Sequence, residues 1–177
     1  MISIAAGTGT KNLRDAWGAK ARIIRAMPNT PGAVGAGITG LYAAKGAGAA
    51  DQKRADALLS ALGETVWVKT EALIDSVTAV SGSGPAYLFL MAEALTDAGV
   101  AEGLPRAQAE KLARATISGA GALLAADKSS ASSLREAVSS PGGTTVAALK
   151  VLMADDGLVA LMKRAVAAAR KRAEELR

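Results

Sequence analysis

The 177-residue chain is 50% hydrophobic, 21% charged and only 3% aromatic, and alanine supplies about a quarter of it. That balance excludes disorder as the main reading, and it requires a core built by close backbone approach rather than around large rings. Cysteine and histidine are both absent, which excludes a disulfide framework, a thiol nucleophile, an imidazole base and zinc held by thiolate or imidazole. No metal site is expected, and chemistry is left to hydroxyls, carboxylates, amines, backbone groups or a cofactor.

The formal charge is +5, but the basic residues are dispersed among acids, with no zinc finger and no aromatic series to stack on RNA. Nucleic acid is therefore not an expected partner. No apolar run approaches the ~18 residues of a membrane span. Met1 to Gly7 carry no basic leader and too short an apolar stretch for a signal peptide, so a cytoplasmic protein is expected.

Taken in chain order, β-rich runs bounded by Gly, Pro, Asn or Lys predict strands over residues 2–6, 21–26, 37–43 and 64–69. Residues 51–62 carry apolar side chains at helical spacing and stop at Gly63, a C-terminal capping signal. The first half thus reads as α/β. From about residue 75 the spacing turns helical, with helices over 85–98, 105–126, a short one capped by Ser130 or Ser132 and running through 138, then 144–154, and 156 to the C-terminus. Gly119 and Gly121 lie inside the second of these. A helical glycine costs about 1 kcal/mol relative to alanine, so close approach of another helix is expected there. Five alanine-rich helices bury little alone, and a helical dimer is the expectation.

The pattern G-x-G-x-x-G occurs as Gly35-Ala36-Gly37-Ile38-Thr39-Gly40. To bind a pyrophosphate it must follow a strand and open a helix. Here Gly37 begins a β-like run, so the match reads as chance. Met27-Pro28-Asn29-Thr30-Pro31-Gly32 follows a strand, where open α/β sheets hold ligands; an ordinary Asn/Pro/Gly turn is equally permitted. Ser81-Gly82-Ser83-Gly84-Pro85 leads into a helix whose free N–H groups could receive an anion with Ser83 as cap, or it forms a hinge. Asp75, Glu93 and Asp97 are assigned to the solvent-facing surface, the last two standing four apart on one helix face.

Ser139-Ser140-Pro141-Gly142-Gly143-Thr144-Thr145 ends at the start of a helix, so several N–H groups point outward with the positive end of a dipole behind them. Two glycines admit a ligand close to the main chain, and the hydroxyls give or accept hydrogen bonds. The set suits a small carboxylate with a neighbouring polar atom. A plain helix–helix turn with Ser/Thr capping is the alternative.

Ile24-Arg25-Ala26-Met27-Pro28-Asn29-Thr30-Pro31, then Asp75-Ser76-Val77-Thr78-Ala79-Val80-Ser81-Gly82-Ser83-Gly84-Pro85-Ala86-Tyr87, Gly103-Leu104-Pro105-Arg106 and Val138-Ser139-Ser140-Pro141-Gly142-Gly143-Thr144-Thr145 form an ordered set. Together they resemble pyrroline-5-carboxylate reductase over the whole chain. The resemblance implies that residues 1–73 are the C-terminal part of a Rossmann-type NAD(P)-binding domain, and that the family's glycine-rich loop lies outside this sequence. Residues 74–177 would then be an all-α domain for dimerisation and substrate binding.

By the same resemblance the activity is reduction of 1-pyrroline-5-carboxylate to L-proline with NADPH or NADH. Ser139, Ser140, Gly142, Gly143, Thr144 and Thr145 would bind substrate, with Thr145 as the catalytic hydroxyl facing the ring nitrogen. Ala5, Ala6 and Asn29 would lie beside the cofactor. Ala137 stands where members of the family often carry a polar side chain. The competing expectation is a non-catalytic helical dimerisation module.

Overall fold

The computed structural model describes residues 1–177. It divides into two compact units, Met1–Pro85 together with Arg164–Arg177, and Ala86–Lys163.

The first unit is organised by a four-stranded sheet in the order β1 (Ile2–Ser3), β2 (Ile24–Met27), β3 (Gly37–Ala43) and β4 (Gly63–Trp67). β1 pairs parallel to β2 and β3 parallel to β4, because a helix returns the chain each time: α1 (Thr10–Trp17) and α2 (Ala49–Leu59). β2 and β3 are antiparallel, with Met27 opposite Gly40, because only a 3₁₀ turn over Thr30–Val34 separates them. Alternation along β2 sends Ile24 and Ala26 to one face, where they pack with Leu41 and with Ala55 and Leu59 of α2. On the other face Ile23, Ala44 and Leu13 of α1 form a second cluster.

The expected α/β half is present with its four strands, but the first is shorter than 2–6 and ends at Ser3. α1 was not expected from the residue pattern. Its apolar residues Leu13, Ala16 and Trp17 do stand at helical spacing, but eight residues are shorter than the window over which such a period is read. α2 passes into a 3₁₀ turn over Ser60–Leu62 before Gly63, at φ 131°, turns the chain into β4.

After β4 comes α3 (Leu73–Val77), continued by a π-helical turn over Thr78–Gly82 and then by α4 (Gly84–Ala101). This corrects the capped helix start expected at Ser83. Its backbone is helical, at φ −85° and ψ −22°, and its N–H donates to the Thr78 carbonyl. The Thr78 and Ser81 hydroxyls turn back onto the Ile74 and Val77 carbonyls, so the segment is helical and not a free N-terminus.

Four further helices follow: α5 (Arg106–Ala126), α6 (Ala131–Ala137), α7 (Thr144–Leu152) and α8 (Leu158–Glu175). Of the two candidate caps for α6, Ser130 is the one that accepts the Ser133 N–H, at 3.1 Å. Within residues 86–163 only Thr96, Ala109 and Ala113 are buried, so the second unit has almost no core of its own. Gly119 and Gly121 meet nothing within 4 Å beyond their own helix. The close helix approach expected there is not made inside the chain. No helix is long and apolar enough to cross a membrane.

Candidate functional site

The 139–145 segment is a tightly wound bridge from α6 to α7. Ser139 is turned back on α6, its hydroxyl donating to the Arg135 carbonyl at 2.6 Å and its N–H to Glu136 at 2.9 Å. The Gly143 N–H closes a four-residue turn onto the Ser140 carbonyl at 2.9 Å. Pro141 and a left-handed Gly142, φ 72°, occupy its centre, as a type II turn demands. A Cβ on Gly143 would lie 2.5 Å from the Ser140 Oγ, so the turn leaves no room for a side chain there.

α7 then begins with Gly143 as its N-cap and no side-chain cap, and its first intrahelical bond runs from the Ala147 N–H to Gly143 at 3.3 Å. The N–H groups of Thr144, Thr145 and Val146 therefore have no acceptor within the chain. They stand at the positive end of the helix dipole, an arrangement suited to an anion. Ser140, Gly142 and Thr144 are exposed, while Ser139, Gly143 and Thr145 are partly buried. The Thr145 hydroxyl carries no hydrogen bond inside the chain. These six residues are brought together in one turn and one helix start.

The other expected set belongs to the first unit. Ala5 and Ala6 are exposed in the loop after β1, and Asn29 is partly buried just after β2. The two loops leave the carboxyl ends of neighbouring parallel strands, where such sheets bind ligands. The Asn29 Oδ1 accepts the Ile38 N–H at 2.9 Å, which pins the turn to β3 and leaves the side-chain NH₂ without an intrachain partner. Two glycines of the apparent fingerprint serve packing: a Cβ on Gly37 would lie 2.7 Å from the Leu62 carbonyl oxygen, and Gly40 abuts Val77, while Gly35, at φ 72°, ends the 3₁₀ turn. No phosphate cradle exists there.

Asp75 is not on the surface but 1% exposed, a correction with a clear electrostatic cause. It faces the buried Arg25 of β2 at 4.0 Å and Arg177 at 3.4 Å. Arg25 also meets Glu71 at 3.3 Å, and both Glu71 carboxylate oxygens are taken by Thr10. Nothing local in the sequence announces this cluster, because its members stand at positions 10, 25, 71, 75 and 177. Glu93 and Asp97 are exposed as expected, Asp97 pairing with Arg106 at 2.8 Å. No group of three or more acidic residues could hold a metal ion.

Comparison with known proteins bears on the chain as a whole. Residues 71–176 match the family described as pyrroline-5-carboxylate reductase dimerisation. The chain is 45% identical to the pyrroline-5-carboxylate reductase of Pseudomonas aeruginosa, covering 99% of itself and 64% of that protein. It is 46% identical to the Synechocystis enzyme of the same name, with 99% and 65% covered. It superposes on the pyrroline-5-carboxylate reductase of Coxiella burnetii with a TM-score of 0.93 at 42% identity, covering 99% of this chain and 64% of that one. On the Plasmodium falciparum pyrroline carboxylate reductase, solved with NADP bound, the TM-score is 0.85 at 31% identity, covering 99% and 70%. The chain thus spans just under two thirds of the length of the curated relatives first matched, 64% and 65%.

Proposed function

The chain belongs to the pyrroline-5-carboxylate reductase family, and on that premise we propose that it forms the substrate-binding and nicotinamide-side part of a reductase. The reaction is conversion of 1-pyrroline-5-carboxylate to L-proline with NADPH or NADH. Residues 1–73 serve as the C-terminal part of the NAD(P)-binding domain, and residues 74–177 dimerise and bind substrate. The enzyme works in the cytoplasm as a homodimer at least, without nucleic acid.

One observation carries the reading: three first-turn amides of α7, on Thr144, Thr145 and Val146, lack acceptors beside the unengaged Thr145 hydroxyl. They hold the ring carboxylate, while the turn through Ser139, Ser140, Gly142 and Gly143 keeps the approach free of side chains. The Thr145 hydroxyl hydrogen-bonds the ring nitrogen, which takes a proton from water as its double bond to carbon becomes single. The nicotinamide, when bound, supplies the hydride. Ala5, Ala6 and Asn29 fit its nicotinamide end, two small exposed side chains and one free amide donor at the carboxyl ends of parallel strands. The Gly35–Gly40 run, filled by Leu62 and Val77, does not fit the pyrophosphate. NADP in the Plasmodium relative supports this choice of cofactor class.

Calorimetry with L-proline tests the site. Thr145→Ala should weaken binding roughly two- to tenfold, the worth of one hydrogen bond; unchanged affinity removes the loop from the site. The second reading, a helical module that dimerises without catalysis, draws on the match over residues 71–176. It expects a dimer whose melting temperature responds to neither NADPH nor proline.

A further inference from the structure

We propose that Glu71 is a positioning residue for the loop of Ala5 and Ala6, fixing where the nicotinamide end of the cofactor meets the chain. The inference rests on the cofactor reading of that loop given above. Ala5 and Ala6 are exposed, and the one hydrogen bond between them is a long one, from the Ala5 N–H to the Ser3 Oγ at 3.4 Å. Their placement is therefore set by what holds the two ends of the loop. One end is Ser3, paired into the sheet opposite Arg25. The other is Thr10, and Glu71 holds it.

The Glu71 carboxylate accepts the Thr10 N–H and the Thr10 hydroxyl, each at 2.6 Å, across 61 residues of sequence. Gly9, the N-cap of α1, has no side chain to perform this task, so Glu71 supplies the negative charge at the helix's positive end. Its grip is aimed from below. Glu71 meets Arg25 at 3.3 Å, Arg25 faces Asp75 at 4.0 Å, and Asp75 faces Arg177 at 3.4 Å. The same elements crowd the loop: a Cβ on Gly9 would lie 3.3 Å from the Arg177 Cγ and 3.5 Å from a Glu71 oxygen, and one on Gly7 2.8 Å from the Leu176 carbonyl. A buried charge network is a weak source of stability. Its return here is a loop whose free residues can occupy one place.

Amide exchange by NMR on the full chain, with NADPH titration alongside, tests the proposal. In Glu71→Gln, exchange at Thr10, whose N–H Glu71 accepts, should rise about tenfold or more and the backbone order parameters of Ala6 and Gly7 should fall, while exchange at Leu41 in β3 changes less than about twofold. NADPH affinity should fall with unchanged proline affinity. Thr10→Val, which keeps the Arg25–Glu71 pair, should shift the same amides less, and Thr10→Ser should restore them. This second variant decides the matter if Glu71→Gln does not fold. Unchanged loop exchange overturns the proposal, as does acceleration of loop and β3 together, the mark of a merely structural residue. A parent chain that ignores NADPH defeats the cofactor reading instead, and the exchange data still decide whether Glu71 holds the loop.

Discussion

Gly40 of β3 lies directly against the Val77 side chain of α3, with no space for a methyl group between strand and helix. This contact sets how closely the helix that follows β4 descends onto the sheet, and with it the depth at which Asp75 meets Arg25. Gly40→Ala should destabilise the chain by about 1–3 kcal/mol, the usual cost of overpacking, measured by urea unfolding. Gly48→Ala serves as the control. Nothing lies within 4 Å of a Cβ there and φ is −101°, so the only cost is that of alanine at the N-cap of α2, up to about 1 kcal/mol.

The buried charges make a second prediction. Arg25→Met leaves the Asp75 carboxylate, 1% exposed, with Arg177 as its only cation. Breaking a buried pair from one side costs about 3–5 kcal/mol. Adding Asp75→Leu removes the stranded charge, and the double variant should recover much of the loss. A double variant no more stable than the single one would mean that these groups pack rather than pair.

These two relationships mark the boundary of what the residues disclose in order. β3 was legible because its β-branched and aromatic residues lie in one run closed by glycine, and α5 because Pro105 opens it. The 139–145 turn was legible because Pro141, Gly142 and the hydroxyls specify backbone shape locally. α1 was not, since its eight residues are too short a window for the period and its start is held by a carboxylate 61 residues away. Asp75 read as surface because burial is decided by Arg25 and Arg177, whose proximity only the folded chain creates. Ser83 read as a cap because the π-helical turn that swallows it has no residue signature of its own.

Asp127 gives a pH-dependent prediction. Its carboxylate accepts the Ser129 N–H at 2.7 Å, and this bond, then the Ser129 side chain, holds its pKa below the ordinary aspartate value. A lowered folded-state pKa means that the turn is favoured above the ordinary value and loses that support as pH falls through the lowered one. An NMR titration of the Asp127 carboxyl carbon should find its midpoint below the ordinary aspartate value. Ser129→Pro, which deletes the donor, should raise it more than Ser129→Ala.

The bareness of the second unit leads to the last prediction. Phe89, Leu90, Leu112 and Leu123 are each more than half exposed, and Gly119 and Gly121 leave a smooth, unoccupied stretch on α5. Glycine in a helix interior costs about 1 kcal/mol, so on a helix that stayed in water Gly119→Arg would simply strengthen α5. If a second copy packs against that stretch, the same substitution puts a long cation into the contact. Light scattering should therefore find the parent chain dimeric and Gly119→Arg shifted toward monomer, with helical content by circular dichroism retained. A variant that stays dimeric and melts higher would place the interface elsewhere on the helical unit.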